Sequence, residues 1–203
     1  MNKKTYRRFD PWRPAPVREQ SREQLIDGHY FTVERVSLSS STSSRFDRLI
    51  LRENHGDTIG ILAQTPDGSI PLVEQYRLPS HRWTLEIPAG HAHLDHEKPV
   101  DVALRKLRQE AGYDAGHISQ FMRFLNTPSF STQHTSLFYA TDLSTVDRGE
   151  IGPESPRSNV RLVSPDDAYD MVIRGVVIDA KSIIAIMRLH EGLRHPQTGP
   201  SAE

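Results

Sequence analysis

The sequence predicts an α/β protein with a small antiparallel β unit ahead of its main domain. Three observations carry this. Strand-like runs recur between residues 29 and 90. An apolar stripe with helical spacing begins at Pro99. Two further helices with capping signals follow a last strand at Asn159.

The length of 203 residues suits one domain with room for a core. Hydrophobic content of 36% and charged content of 25% indicate a soluble, rather polar globular chain. A net charge of −1 gives no basis for bulk nucleic-acid binding. The absence of Cys excludes disulfides, thiolate metal sites and Cys nucleophiles. The basic N-terminal stretch has no apolar core, so no signal peptide is expected, and no apolar run approaches membrane-spanning length. The expected location is the cytoplasm.

Residues 1–27 are polar and rich in Arg, Pro and Gln, and read as an extended arm or poorly ordered tail. Trp12 either anchors that arm or contacts a ligand. HYFTVERVSL from His29, the linker SSSTSS (39–44) and RFDRLILRE predict a leading antiparallel unit over residues 28–56. The main domain is expected over 57–195, with a disordered tail over 196–203. In it, TIGILAQ and IPLVEQYR flank Asp67-Gly68, a hairpin signal. WTLEIPAG reads as a short strand entering a loop. Pro99 opens a helix at a position where its missing N–H costs nothing. Val100, Leu104, Leu107 and Ala111 form its predicted buried stripe, and Gly112 ends it.

A strand around Gln120–Leu125, the loop NTPSFSTQ and the strand HTSLFYATDL follow. Residues 143–158 read as a long surface loop and NVRLV as the last strand. Ser164-Pro165-Asp166-Asp167 starts a helix with a cap, an N1 proline and two carboxylates suited to the helix dipole. That helix stops at Gly175. Asp179 caps a final helix through Leu193.

The segment Glu86–Ala115, EIPAGHAHLDHEKPVDVALRKLRQEAGYDA, is the most informative. It resembles the Nudix box, G-x5-E-x7-R-E-U-x-E-E-x-G-U, with U a bulky apolar residue. Gly90, Glu97, Arg105, Leu107, Glu110, Gly112 and Tyr113 fit. Lys106 stands at the first helix glutamate and Gln109 at the second, and one extra residue separates Gly90 from Glu97. The resemblance covers about residues 45–193. Gln75, Tyr76 and Arg77 ahead of EIPAG are similar to the ADP-ribose pyrophosphatase branch, whose arginine there tends to contact the ligand. TPSFSTQ resembles that branch's T/S-PG-x-S-x-E loop, with Ser129 for the glycine and Gln133 for the glutamate. NVRLVSPDDAYDMVIRGVVIDAKSIIAIMRL matches its closing strand, helix, turn and helix. The acidic cluster that precedes the strand in that branch, where a catalytic base can reside, is here ESPRSN, with only Glu154 nearby.

The resemblance implies a Nudix fold, an α/β/α sandwich with a mixed sheet, and a homodimer built by the leading unit. It implies hydrolysis of the diphosphate in ADP-ribose-like nucleoside diphosphate sugars with Mg²⁺ or Mn²⁺. Such a metal screens phosphate charge and activates water. The implied catalytic residues are Glu110, Glu86, Arg105 and Glu154, and the implied metal residues Glu110, Glu86 and Ala89. Arg77, Lys106 and Gln133 would bind ligand, while Gly90, Glu97 and Gly112 frame the box. Lys106 cannot ligate a cation while protonated. It can pair with Glu110 one turn on and replace part of a metal's charge. The lost carboxylates at Lys106, Gln109 and Gln133 point to weakened catalysis, or to a non-catalytic nucleotide-sugar binder or regulator. Glu110 could otherwise be an ordinary exposed helix residue. His91, His93 and His96 with Asp95 read either as a second metal site or as a polar loop.

Overall fold

The computed structural model describes residues 10–92, 97–148 and 159–192. The chain forms two compact units, Met1–Asn54 with Ser129–Thr132, and His55–Pro128 with Gln133–Glu203.

The first unit is an antiparallel three-stranded sheet of β1 (Val17–Asp27), β2 (Phe31–Ser40) and β3 (Phe46–Glu53), in that order. Residues 17–27, expected as an arm, are therefore a paired strand, in register from Val17 opposite Ser40 to Asp27 opposite Thr32. All of its side chains are exposed, so it lacks the apolar alternation that marks a strand in sequence. Backbone ladder bonds and cross-strand charges hold it instead. Arg22 pairs with the nearly buried Glu34, which Arg52 also holds at 3.0 Å. Trp12 is 91% exposed, so the expected anchoring of the arm is not made. Phe130–Thr132 runs beside β3: Leu51 N–H donates to the Phe130 carbonyl, and Thr132 N–H to the Leu51 carbonyl.

The second unit holds a mixed four-stranded sheet. Its order is β7 (Ala89–Gly90), β4 (Thr58–Ala63), β9 (His134–Thr145), β8 (Tyr113–Leu125). β4 runs parallel to β9 from Thr58 beside Thr135 to Ala63 beside Ala140, and the other pairs are antiparallel. A second sheet has the order β10 (Val160–Val163), β5 (Ile70–Arg77), β6 (Arg82–Glu86). The helices are α1 (Pro99–Lys106), α2 (Pro165–Ile173) and α3 (Ala180–His190).

Strand alternation sorts the core into two layers. Ile59, Ile61 and Ala63 of β4, with Phe138 and Ala140 of β9, pack on Val102, Ala103 and Leu107 of the α1 segment. Leu62 and Leu137 point the other way, into a layer with Ala168 of α2 and Ala185 and Ile186 of α3. This is the expected α/β/α sandwich. Since both faces of β4 are covered, its apolar run is nearly continuous.

Several local expectations change. Gly68, with φ of 87°, does make a turn, closed by Thr65 N–H to the Ser69 carbonyl. The flanking strands nevertheless part into different sheets instead of forming a hairpin. The fully buried stripe of the α1 segment is Val102, Ala103, Leu107 and Ala111; Val100 and Leu104 are only half-buried. β8 and β9 are longer than their apolar cores suggest, and β9 continues to Thr145. Ser164 and Asp179 cap α2 and α3 as expected, accepting from the N–H groups of Asp167 and Ser182. α3 ends at His190.

Candidate functional site

The charged centre of the second unit is built around the Ile87–Gly90 turn, which is held from three sides. Ile87 N–H donates to Ser182 Oγ at 2.9 Å, and the Pro88 carbonyl accepts from Ile61 N–H at 2.9 Å. Ala89 N–H donates to Glu110 Oε2 at 2.9 Å. β6, β4, α3 and the turn that follows α1 thus meet at one short segment.

α1 starts with Pro99 at its first turn and passes into a single π turn over Leu107–Ala111, which Gly112 ends with φ of 77°. Such turns widen the helix by one residue and are frequent at functional sites. Glu110 sits in this turn and is buried, not an exposed helix residue. Burial pushes its carboxyl up. Lys106, the Ala89 N–H, Lys181 and Arg77 offset that only in part. Lys106 Nζ stands 3.7 Å from Glu110 Oε1, with side-chain exposures of 17% and 11%. The expected pair is present, in a half-buried setting. The Lys106 stem lies directly on Gly90: a Cβ there would clash with Lys106 Cε.

Glu86, at the end of β6, is 2% exposed and accepts four hydrogen bonds. Arg77 donates twice, Nε to Oε1 at 2.7 Å and Nη2 to Oε2 at 2.5 Å. Thr84 Oγ1 donates at 2.6 Å and Lys181 Nζ at 2.5 Å. Burial alone would raise this carboxyl, but the Arg77 guanidinium and Lys181 ammonium outweigh it and hold it at about 2. Lys181 also reaches Asp179 Oδ2 at 2.9 Å.

Arg105 grips Glu97 with two bonds of 2.8 Å, and also donates to the His91 carbonyl at 3.1 Å and to Gln109 Oε1 at 3.3 Å. It ties the loop end to the helix. Gln133 Nε2 donates to Thr58 Oγ1, which lies 3.4 Å from His91 Nε2. Gln133 is thus linked to the start of β4. Glu154, His93, Asp95 and His96 lie outside the described residues.

The structure therefore brings together Arg77, Glu86, Ala89, Gly90, Lys106 and Glu110. Among the described residues, no group of three or more His, Asp or Glu side chains could hold a metal ion. Glu86 is saturated by protein donors, and Glu110 accepts the Ala89 N–H on one oxygen and faces Lys106 with the other. As arranged, these residues do not fit a resident divalent cation.

Sequence reasoning missed Lys181, Thr84 and the structural part of Ser182. A signal for Lys181 existed: a cation in the first turn of a helix opposes the helix dipole and needs a compensating partner. Here that partner is Glu86 with Asp179.

The family model for the NUDIX domain matches residues 54–185. The chain belongs to the Nudix family. It is 33% identical to the ADP-ribose pyrophosphatase of Bacillus subtilis over 86% of this chain and 94% of that protein. It is 29% identical to the methanol dehydrogenase activator of Bacillus methanolicus, over 85% of this chain and 93% of that protein. A solved structure described as an ADP compounds hydrolase superposes with a TM-score of 0.77 at 19% identity, covering 87% of this chain and 94% of that one, which supports the fold. The Nudix chain thus falls in the ADP-ribose pyrophosphatase-like branch. Nudix hydrolases generally use divalent metals. Among the described residues no helix is long and apolar enough to cross a membrane.

Proposed function

We propose that this chain is a Nudix hydrolase of ADP-ribose-like nucleoside diphosphate sugars, weakened by the exchange of box carboxylates. The observation that carries the reading is the joining of Arg77 to the Glu86–Gly112 segment in one charged cluster. Its relatives include ADP-ribose pyrophosphatases. The reaction adds water across the diphosphate, so ADP-ribose gives AMP and ribose 5-phosphate. In this reading Arg77 and Lys106 hold phosphate oxygens, Gln133 lies at the ligand's edge, and Arg105 keeps the loop on the helix. Glu110 and Glu86 are the carboxylates nearest the chemistry, with Glu154 as candidate base. Mg²⁺ or Mn²⁺ would be weakly bound, because each carboxylate already has protein partners. The leading sheet is the proposed dimer element, and the cytoplasm the proposed location.

The test is AMP release from ADP-ribose, with Mg²⁺ and with Mn²⁺, against a no-enzyme control. Release above control is expected. No release under either metal, together with a ligand-induced rise in melting temperature, would favour the second reading, a non-catalytic nucleotide-sugar binder or regulator. That reading is favoured by the saturated carboxylates and by the relative named as a methanol dehydrogenase activator.

A further inference from the structure

Two ammonium groups lie in this centre, and one of them, Lys106, stands where the family resemblance leads one to expect a carboxylate. Lys106 lies along Gly90 with its Nζ 3.7 Å from Glu110, and Lys181 is 8% exposed with its Nζ at Glu86 and Asp179. We propose that Lys106 and Lys181 serve as the resident cations of this centre, so that it binds a nucleoside diphosphate sugar without a divalent metal. The proposal rests on the ADP-ribose-like reading given above.

Charge balance is the first argument. Arg77, Lys106 and Lys181 face Glu86, Glu110 and Asp179, so three cations meet three carboxylates among the described residues. A site of three bare carboxylates repels a diphosphate until metal neutralises it. This one is neutral already.

Fit is the second argument. The Lys106 stem needs the absence of a side chain at position 90, where a Cβ would overlap its Cε, Cδ and Nζ. Lys181 runs past Gly60, where a Cβ would lie 3.6 Å from its Cδ and 2.8 Å from Leu137 Cδ2. Gly90 thus leaves room for the Lys106 stem, whereas the glycine at 60 makes room for Leu137. A metal seated between Glu86 and Glu110 would have to expel both ammonium groups, and Lys181 has almost no route to solvent.

Access is the third. Arg77 holds Glu86 through Nε and Nη2 yet keeps 39% of its side chain exposed, with Nη1 outside that pair. Lys106 retains 17% exposure. These are the two cations a diphosphate can reach, while Lys181 acts from behind by neutralising Glu86.

Isothermal titration of the full chain with an ADP-ribose analogue whose diphosphate bridge is a non-hydrolysable methylene, in excess EDTA and in Mg²⁺, tests this. The dissociation constant in EDTA is expected to stay within about threefold of that in Mg²⁺. Lys106→Met keeps the apolar stem and loses the charge, so it should weaken binding in EDTA about tenfold. Lys106→Arg should retain most of the affinity, and melting curves verify that both variants fold. Wild-type binding that requires Mg²⁺ overturns the proposal and leaves the ADP-ribose reading standing. Unchanged affinity in a folded Lys106→Met overturns the proposal alone. No binding of the analogue in either buffer overturns both. If Lys106→Met fails to fold, the wild-type comparison of EDTA with Mg²⁺ decides.

Discussion

Glu86→Gln probes the cluster most sharply. The carboxylate is 2% exposed and takes donors from Arg77, Thr84 and Lys181. Removing one member of a buried ion pair typically costs about 3–5 kcal/mol, because the remaining charge stays buried and unpaired. Acid titration supplies a second route to the magnitude. A carboxyl held at about 2 instead of 4.5 contributes about 3 kcal/mol, at roughly 1.4 kcal/mol per pKa. The two agree in order. For a chain of this size the loss corresponds to a melting temperature lower by about 6–20 °C at neutral pH. The sign with pH follows from the depressed value. The contribution is fully present above 4.5 and is lost as pH falls toward 2, so that wild type should converge on the variant across that window. Urea melts at several pH values, with unchanged denaturant slope, measure both effects. A variant within about 2 °C of wild type at neutral pH, with a parallel acid profile, would refute the reasoning.

Three further outcomes follow from the same cluster. Arg77→Ala should weaken ADP-ribose binding about tenfold and also lower the melting temperature, since it strips Glu86 of its bidentate partner; titration and melting on one sample separate the two effects. Glu110→Gln should stabilise the protein in chelator. Burial raises that carboxyl, so its ionisation opposes folding increasingly as pH rises above 4.5, and the gap between variant and wild type in melting temperature should widen over that range. Lys106→Glu combined with Gln109→Glu restores clustered carboxylates, which repel one another without metal. It should melt lower in EDTA, recover with Mg²⁺, and release AMP from ADP-ribose at least about tenfold faster than wild type.

Much of this fold is legible in the chain because local signals agree with burial. Pro99, Gly112, Ser164 and Asp179 mark helix ends through backbone chemistry that needs no tertiary context. The continuous apolar run of β4 announces a strand covered on both faces. β1 was hidden because an exposed strand held by Arg22, Glu34 and ladder bonds carries no apolar period. The turn at Asp67-Gly68 is visible locally, whereas the parting of its strands into two sheets depends on β9 and β6, far along the chain. At the site, the Lys106–Glu110 pair follows from spacing on one helix. The Glu86–Lys181 pair joins residues 95 positions apart, and only packing of α3 against the Ile87–Gly90 turn reveals it.

The central claim is that protein cations already occupy this site's carboxylates. Titration of the ligand-free protein with Mn²⁺, followed by the loss of the free-ion electron spin resonance signal, tests it most directly. The account predicts no saturable binding below millimolar Mn²⁺ in wild type, and the appearance of such binding when Lys106→Glu and Gln109→Glu are combined. A tight Mn²⁺ site in wild type that Glu110→Gln abolishes would contradict it.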